Sequence, residues 1–267
     1  MSIKLEDFIK DNHPFICILI PCYSGTCGID FVDSLIKTVD VCKMSKIRCK
    51  YFFMKDDMLI HRARNNLVAK ALSIKDVTHI TFIHPNMKWN PYDIFKLLVA
   101  DKYIIGGASP VKNIRWREMT EHPNCISIFN DKNHTSIPNE VFLQHKLTNY
   151  NIKFDDIKNV NITKNMTKVK ELAFDFVMLK RIVFEKMFSA FPKTKYTDNS
   201  GFLQDSENDY AYTLFDIYNE KNIILSDEIV FSKRWQNMGG NIWIDITIGL
   251  THTGLYDYNG NYYNSII

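Results

Sequence analysis

Residues 14–21 read PFICILIP, an apolar run rich in isoleucine that opens and closes on proline. The run has the length of a strand and contains no charged residue, so it predicts a buried β-strand. The loop CYSGTCG follows at once, and its glycines predict a turn at the end of the strand. Helix-covered sheets contain strands of this kind, so the run favours an α/β fold.

Strand and helix patterns alternate downstream of this run. In residues 30–41, Phe31, Leu35 and Val39 fall on one helical face, and acids begin the segment, where the helix dipole favours them. The predicted elements are a helix at 30–41, a strand at 50–54, a helix at 58–72, a strand at 78–83, a helix at 91–99 and a strand at 103–108. The spacing fits crossover connections, and it predicts a parallel sheet covered on both faces, with ligands beyond the carboxyl ends of its strands.

The second half of the chain is less regular. Residues 115–167 are polar, rich in asparagine and weakly periodic, which favours a variable hairpin or lid. Regular patterns return as a strand-like stretch at 168–179, a helix at 181–188, a helix at 226–238 that Gly239 and Gly240 end, and a strand at 241–248. Trp89 and Trp235 are predicted to lie in the core.

Composition limits the class of protein. The chain has 267 residues, of which 46% are hydrophobic and 24% charged, so it is neither a disordered nor a fibrous sequence. A net charge of +3 without a lysine- and arginine-dominated face argues against nucleic acid as a partner. No apolar run reaches the length of a transmembrane segment, and the acidic start of the chain does not resemble a secretory leader. We therefore expect a cytoplasmic protein with reduced cysteines. Aromatic residues at 256–263 leave oligomer formation open.

Several segments occur in a recognisable order. They are IPCYSG at 20–25, RARNNLVAK at 62–70, THITFIHPNMKWNP at 78–91, IIGGASP at 104–110, FVMLKR at 176–181, LSDEIVFSKRWQNMGG at 225–240 and THTG at 251–254. Together they resemble the nucleotide-sugar glycosyltransferases of the GT-A fold, specifically the family-2-like enzymes of giant viruses, phages and bacteria. The resemblance implies a Rossmann-like, mixed and mainly parallel sheet flanked by helices. It also implies the host cytoplasm as the location if the chain is viral.

The resemblance further implies one domain over 1–267 with three parts. Residues 1–114 would form the nucleotide-sugar-binding half, 115–167 a variable lid or insert, and 168–267 the acceptor-binding half.

A metal-binding motif of the relatives is altered in this chain. They carry Asp-x-Asp after a central strand, and its carboxylates hold Mn²⁺ or Mg²⁺ against the donor diphosphate. The equivalent positions here are His84-Pro85-Asn86. His252 matches a further metal ligand of many relatives, so the resemblance implies a site of His84, Asn86 and His252, which suits Mn²⁺ better than Mg²⁺. The alternative is that His84 and Asn86 cap the strand end and hydrogen-bond the nucleotide.

A pair of acids, Asp227 and Glu228, matches the catalytic acids of the relatives. In inverting members the second acid takes the proton of the acceptor hydroxyl, so the resemblance makes Glu228 the catalytic base and Asp227 its neighbour. This chain has Glu at that position, whereas the relatives have Asp, which is one methylene shorter. The alternative is a helix start, with Ser226 as the cap and acids in the first turn.

Other matched residues are implied to lie beside the donor. These are Pro21, Tyr23, Arg62, Arg64, Asn65, His84 and Asn86. Arginine suits bidentate recognition of phosphate, whereas the alternative for the two arginines is a solvated helix face. Asp175 matches a position near the acceptor or donor sugar, and the alternative is an ordinary surface acid. Asp56 and Asp57 are candidates for binding uracil or ribose, or they are ordinary turn acids.

Two functions follow from these residues. The first is transfer of a sugar from a nucleotide-diphosphate sugar, with a UDP-sugar favoured, to a hydroxyl of a glycan or protein. The alternative is a degenerate relative that binds nucleotide or glycan, or acts as a scaffold, which the loss of both Asp-x-Asp carboxylates favours. A Rossmann dehydrogenase is disfavoured because no G-x-G-x-x-G follows the first strand.

Overall fold

The structure is a computed structural model that describes residues 5–117, 139–254, 256 and 258–266. Its helices are α1 (Leu5–Asn12), α2 (Ile29–Met44), α3 (Ile60–Leu72), α4 (Asp93–Val99), α5 (Asn139–Leu147), α6 (Arg181–Ala190), α7 (Asp227–Asn237) and α8 (Tyr262–Ile266). Its strands are β1 (Phe15–Cys22), β2 (Arg48–Lys55), β3 (His79–Ile83), β4 (Met87–Lys88), β5 (Ile104–Gly106), β6 (Pro110–Ile114), β7 (Thr148–Tyr150), β8 (Ile152–Lys153), β9 (Met166–Val169), β10 (Glu171–Leu172), β11 (Phe176–Lys180), β12 (Tyr218–Glu220), β13 (Ile223–Leu225), β14 (Ile242–Asp245), β15 (Gly249–His252) and β16 (Tyr258–Asn261).

Within the described ranges, the largest sheet has the strand order β2-β1-β3-β11-β5-β14-β9. β1 pairs in parallel with β2 and β3, and β5 pairs in parallel with β14. β11 runs antiparallel to β3 and β5, and β9 runs antiparallel to β14. The predicted α/β fold with a mixed, mainly parallel central sheet is therefore confirmed.

The apolar run that opened the sequence argument explains the two-sided core. Ile16, Ile18 and Ile20 of β1 pack in a cluster with residues of α1, α2 and α4. The intervening Cys17 and Leu19 pack in a second cluster with residues of α3, α6 and α7. Because successive strand side chains point to opposite faces, a strand with helices on both sides must be apolar throughout.

Both tryptophans that were predicted to be buried lie in the core. Trp89 is 4% exposed and donates its indole N–H to Thr38 Oγ1, while Trp235 is 3% exposed and donates to the Asn241 carbonyl. Each ring thus buries its apolar body while its single donor is satisfied.

The stretch at residues 168–179, predicted to be strand-like, contains parts of three strands. The stretch divides into the end of β9, then β10, then β11, and β11 enters the central sheet antiparallel between β3 and β5. The strands at 78–83 and 103–108 point the same way but are not neighbours. Local periodicity identifies a strand, whereas its direction and neighbours depend on contacts distant in sequence.

The predicted variable segment at 115–167 contains ordered elements. Residues 118–138 lie outside the described ranges. After them come α5, β7 and β8, and Leu143 and Leu147 form a small buried cluster with Ile114. No helix of the described residues is long and apolar enough to cross a bilayer.

Candidate functional site

The carboxyl ends of β1, β2 and β3 meet at one edge of the central sheet, which we name the carboxyl edge. Cys22 at the end of β1 lies beside Lys55 at the end of β2, and Ile83 at the end of β3 lies beside Phe176 at the start of β11. Residues that follow these strands, or that precede β11, therefore lie close together. Ligands of open α/β sheets bind at such an edge.

Arg64 joins two carboxylates distant in sequence, and we name Arg64, Asp227 and Glu228 the Arg64 cluster. The guanidinium of Arg64, on α3, donates to Asp227 Oδ2 at 2.6 Å and to Glu228 Oε1 at 2.5 Å. The side chains of Arg64 and Asp227 are only 6% and 5% exposed, and that of Glu228 is 21% exposed. The cluster thus ties the start of α7 to α3.

Glu228 is the member of the cluster that reaches open space. It lines a cavity of about 430 Å³ that also contacts Asp175 and Tyr150. Burial raises the pKa of the Glu228 carboxyl, with a further rise from Asp175 and Asp227, and Arg64 opposes the rise. The same carboxylate accepts a hydrogen bond from the Phe174 N–H at 3.1 Å. Glu228 is therefore a fixed carboxylate of enhanced basicity at a cavity wall.

The helix-start interpretation accounts for only part of this arrangement. Ser226 takes the cap position of α7, but its side chain makes no capping hydrogen bond. Both acids of the first turn bind Arg64 instead. Their position suits the helix dipole, and their contacts add a link to another element.

Two histidines form a second group at the carboxyl edge. The rings of His84, after β3, and His252, on β15, have centroids 5.0 Å apart. His252 Nδ1 lies 3.1 Å from the Pro110 carbonyl, which can only accept, so this nitrogen carries the proton and Nε2 keeps a lone pair. That buried Nε2 has no hydrogen-bond partner among the described residues.

Both histidines are neutral near pH 7. Burial lowers the pKa of His84 to about 4 and also lowers the pKa of His252, while Asp175 opposes both shifts. His84 Nδ1 accepts from the Asn86 N–H at 3.3 Å, which places the proton of the neutral ring on Nε2. Of the two rings, only His252 therefore offers an unused lone pair.

His84, Asn86 and His252 are the candidate ligands for the metal that the resemblance implies. His84, Asn86 and His252 supply no carboxylate, whereas Mn²⁺ and Mg²⁺ favour charged oxygen ligands. Among the described residues, no group of three His, Cys, Asp or Glu is placed to hold a metal ion. The residues present do not by themselves fit either ion, and dependence on a metal stays a prediction.

Asp175 lies close to both the Arg64 cluster and the pair of His84 and His252. Its side chain is buried, and Ser109 Oγ donates to Oδ2 at 2.6 Å. Its backbone carbonyl accepts from the His84 N–H at 2.9 Å. Its charge acts on the histidines and on Glu228. The family resemblance selected Asp175, but no sequence pattern indicated its link to Ser109.

A cleft of about 730 Å³ opens where β1 and β2 end and α3 begins. Asp57 and Arg62 line it and form a two-point ion pair, with Arg62 Nε and Nη2 at 2.9 and 2.8 Å from the carboxylate. Gly25 also lines it at φ +67°, where a side chain would meet Asp56 Oδ1. Pro21 is buried within β1, and Tyr23 is 59% exposed in the adjoining turn.

Asp198 organises another wall of this cleft, and the sequence interpretation missed it. Its Oδ2 accepts from the N–H groups of Phe202 and Leu203, and its Oδ1 accepts from Ser200. Burial alone would raise the pKa of Asp198, but hydrogen bonds from Ser200, Leu203 and Asn66 lower it to about 2. An Asp ahead of the Asn-Ser-Gly turn was the available signal.

Asn65 already has partners for both ends of its side-chain amide. Nδ2 donates to the Phe215 carbonyl at 2.7 Å, and Oδ1 accepts from the Phe215 N–H at 3.0 Å. The residue is 2% exposed. In this structure it anchors the chain around residue 215 to α3.

Lys112 is a second residue that the sequence interpretation missed. It is exposed on β6, and its side chain lies over Gly254, where a Cβ would be 3.7 Å from Lys112 Cδ and Cε. Its charge acts on both His84 and His252. We find no ion pair for it among the described residues. A cation is therefore available beside the histidine pair.

No family model matches the chain, and no curated protein is similar to it in sequence. Among solved structures it is similar to the crystal structure of A197 from STIV, with a TM-score of 0.49 and 10% identity, over 92% of this chain and 94% of that chain.

Proposed function

We propose that this protein is a glycosyltransferase of the GT-A type that moves a sugar from a nucleotide-diphosphate sugar, with a UDP-sugar favoured, to a hydroxyl of a glycan or protein. The observation that carries the proposal is the setting of Glu228. This carboxylate is held by Arg64, is made more basic by burial, and lines a cavity at the carboxyl edge. A second, larger cleft opens at the same edge.

The larger cleft supports the donor half of the proposal. Its volume of about 730 Å³ lies within the range of small-molecule sites. Arg62 holds Asp57 through two hydrogen bonds, so a fixed polar pair faces a cleft that is otherwise partly apolar. A nucleoside needs this combination, because its base has apolar faces and its edges and ribose have polar groups.

Glu228 supports the transfer half. In the proposed step the acceptor oxygen attacks the anomeric carbon, and its proton passes to a Glu228 oxygen. The bond from the anomeric carbon to the diphosphate oxygen breaks, and its electron pair leaves with the diphosphate. A raised pKa brings a carboxylate base closer to the working pH, and positioned bases of this kind contribute about 10²- to 10⁴-fold in rate.

The leaving diphosphate needs positive charge. Arg64 is already paired with two carboxylates, and Arg62 with one. Lys112 is the cation near the histidine pair for which we find no ion pair among the described residues. We assign its charge to the leaving diphosphate.

A nucleotide- or glycan-binding role without transfer is the second candidate. The absence of a carboxylate from His84-Pro85-Asn86 favours it, because the relatives use those carboxylates to hold the metal. In that case the cleft binds nucleotide while Glu228 performs no chemistry.

Calorimetry tests binding first. UDP, UDP-sugars and GDP-sugars are titrated with and without Mn²⁺, against wild type, Lys112→Met and the exposed-site control Lys43→Met. We expect the Lys112 variant to lose about tenfold in UDP affinity, and to bind uridine unchanged, because a charge-assisted contact is worth roughly 1.5 kcal/mol or more. If no nucleotide binds under any condition, sugar transfer and the nucleotide-binding role are both wrong.

Donor turnover then separates the two functions. Release of UDP from a UDP-sugar, with water or added saccharides as acceptor, is compared between wild type, Glu228→Gln and the exposed control Glu140→Gln. If the protein transfers sugar, the rate of UDP release by Glu228→Gln should be at least about a hundredfold below that of wild type, with nucleotide affinity retained. Nucleotide binding by all three proteins without turnover would favour the binding role.

A further inference from the structure

The amino edge of the central sheet, opposite the candidate site, carries a cluster of lysines and aromatic rings. Lys102 and Tyr103 directly precede β5, and Trp243 is the second residue of β14. Lys168, on the edge strand β9, lies opposite Trp243. Lys186 reaches the same region from α6. We name these five residues the basic aromatic surface.

The lysines of this surface lie over the rings. Lys102 Nζ is 4.6 Å and Lys168 Nζ 5.4 Å from the centroid of the Trp243 ring. Lys186 Nζ is 4.9 Å from the centroid of the Tyr103 ring. Ammonium groups in such positions are held by the ring quadrupole, and their N–H groups that point away from the ring can still bind an anion.

The surface has an excess of positive charge. Three neighbouring acids are already paired, Asp101 with Lys180, Glu185 with Arg181 and Asp155 with Lys170. A fourth, Asp156, lines a neighbouring cavity with Lys168 and Trp243 and accepts hydrogen bonds from the Lys158 N–H and the Asn159 side chain. For Lys102, Lys168 and Lys186 we find no carboxylate within ion-pair distance among the described residues. Three lysines therefore face one unpaired carboxylate, which leaves positive charge in excess in this region.

The surface is concave and has an apolar rim. A cavity of about 350 Å³ is lined by Lys102, Lys186, Tyr103 and Trp243, with Met238 at its border. Met238 is 37% exposed and the nearby Ile182 is 39% exposed. Lysines, interfacial aromatic rings and exposed apolar side chains are the combination with which proteins contact a lipid headgroup layer.

We propose that the basic aromatic surface docks this protein on an anionic lipid bilayer. The lysines bind lipid phosphates and carboxylates, Tyr103 and Trp243 lie at the headgroup level, and Met238 and Ile182 enter the acyl boundary. Single-stranded nucleic acid fits less well, because stacking of bases needs open ring faces and lysines lie over these. Docking in this way leaves the carboxyl edge directed away from the membrane, open to solutes.

Vesicle co-sedimentation of the full chain tests the proposal. Vesicles of phosphatidylcholine are compared with vesicles that also contain phosphatidylserine, at low and high salt. We expect binding only with phosphatidylserine, and its loss at high salt. Each of Lys102→Gln, Lys168→Gln and Lys186→Gln should lower the partition coefficient about fivefold, the effect of one lysine near an anionic surface.

Controls keep the test decisive. Lys43→Gln with Lys50→Gln removes two exposed lysines on the far side of the sheet and should leave binding unchanged. Met238→Ser with Ile182→Ser should weaken the binding that persists at intermediate salt, and melting curves show whether each variant is folded. Equal binding to both vesicle types, or equal losses in the lysine variants and their control, would overturn the proposal. The proposal would also be overturned if the lysine variants lost binding to a single-stranded oligonucleotide but kept their binding to vesicles.

Discussion

Replacement of Arg64 by methionine tests whether the Arg64 cluster is an ion triad of the interior. Methionine has a similar length and no charge, so Asp227 and Glu228 would lose their shared partner. Removal of one member of a buried pair costs about 3 to 5 kcal/mol, because the remaining charge stays buried without compensation. The side chains of Arg64 and Asp227 are 6% and 5% exposed, so we expect the loss of their pair to cost an amount within this range. The Glu228 side chain is 21% exposed, so solvent screens its contact with Arg64 and we add no further cost for it.

We therefore expect the free energy of unfolding of Arg64→Met to fall by about 3 to 5 kcal/mol at neutral pH. Urea titration followed by circular dichroism measures it, and the melting temperature should drop by roughly 2 to 4 °C per kcal/mol. Arg48→Met is the matched control, since its pair with Asp76 is 54% and 62% exposed and exposed pairs contribute about 0 to 1 kcal/mol.

A second variant separates lost charge from lost packing. Arg64→Met combined with Asp227→Asn and Glu228→Gln removes the uncompensated charges, and we expect it to recover more than half of the lost stability. If Arg64→Met costs no more than Arg48→Met, or if the triple variant is no more stable than the single one, the reasoning about the buried triad is refuted.

Two further predictions concern pH. The depressed pKa of Asp198, about 2, means that its stabilisation is present above the unfolded value near 3.9 and is lost as the pH falls through about 2. The stability difference between wild type and Asp198→Asn should therefore narrow over that interval in urea titrations, and a constant difference would contradict the prediction. Burial also lowers the pKa of His145 to about 4, so its contribution is complete above about pH 6.5 and is lost as the pH falls through about 4. His145→Gln should reduce the slope of unfolding free energy against pH by up to about 1.4 kcal/mol per pH unit in that window, and an unchanged slope would contradict it.

Much of the sheet could be predicted because its signals are local. The run PFICILIP indicates a strand buried on both faces, and the structure places its alternate residues in two separate clusters. The helix at 226–238 is likewise marked by its acidic start and its glycine end. Each of these signals acts within one element, so no knowledge of neighbours is needed.

The arrangement of strands and the site partners could not be predicted in the same way. β11 takes its place between β3 and β5 through contacts that no local pattern specifies. Arg64 and Glu228 are 164 residues apart, and the choice of partner for a buried arginine depends on how α3 and α7 pack. Lys112 carries no motif at all, and only the approach of β6 to Gly254 identifies it.

The pairing of Arg64 changes what this arginine contributes to the proposed transfer. The resemblance implied that Arg64 recognises the donor directly, but two carboxylates already neutralise its charge in the structure. When Glu228 accepts the acceptor proton, it loses its negative charge, and Arg64 remains paired with Asp227 alone. Positive charge is thus released at the carboxyl edge at the moment when the diphosphate leaves with an electron pair. The base Glu228 and the cation Arg64 are thus coupled through one hydrogen bond. The losses in transfer rate caused by Glu228→Gln and Arg64→Met should therefore be non-additive in the double variant. Additive losses would show that the two residues act independently.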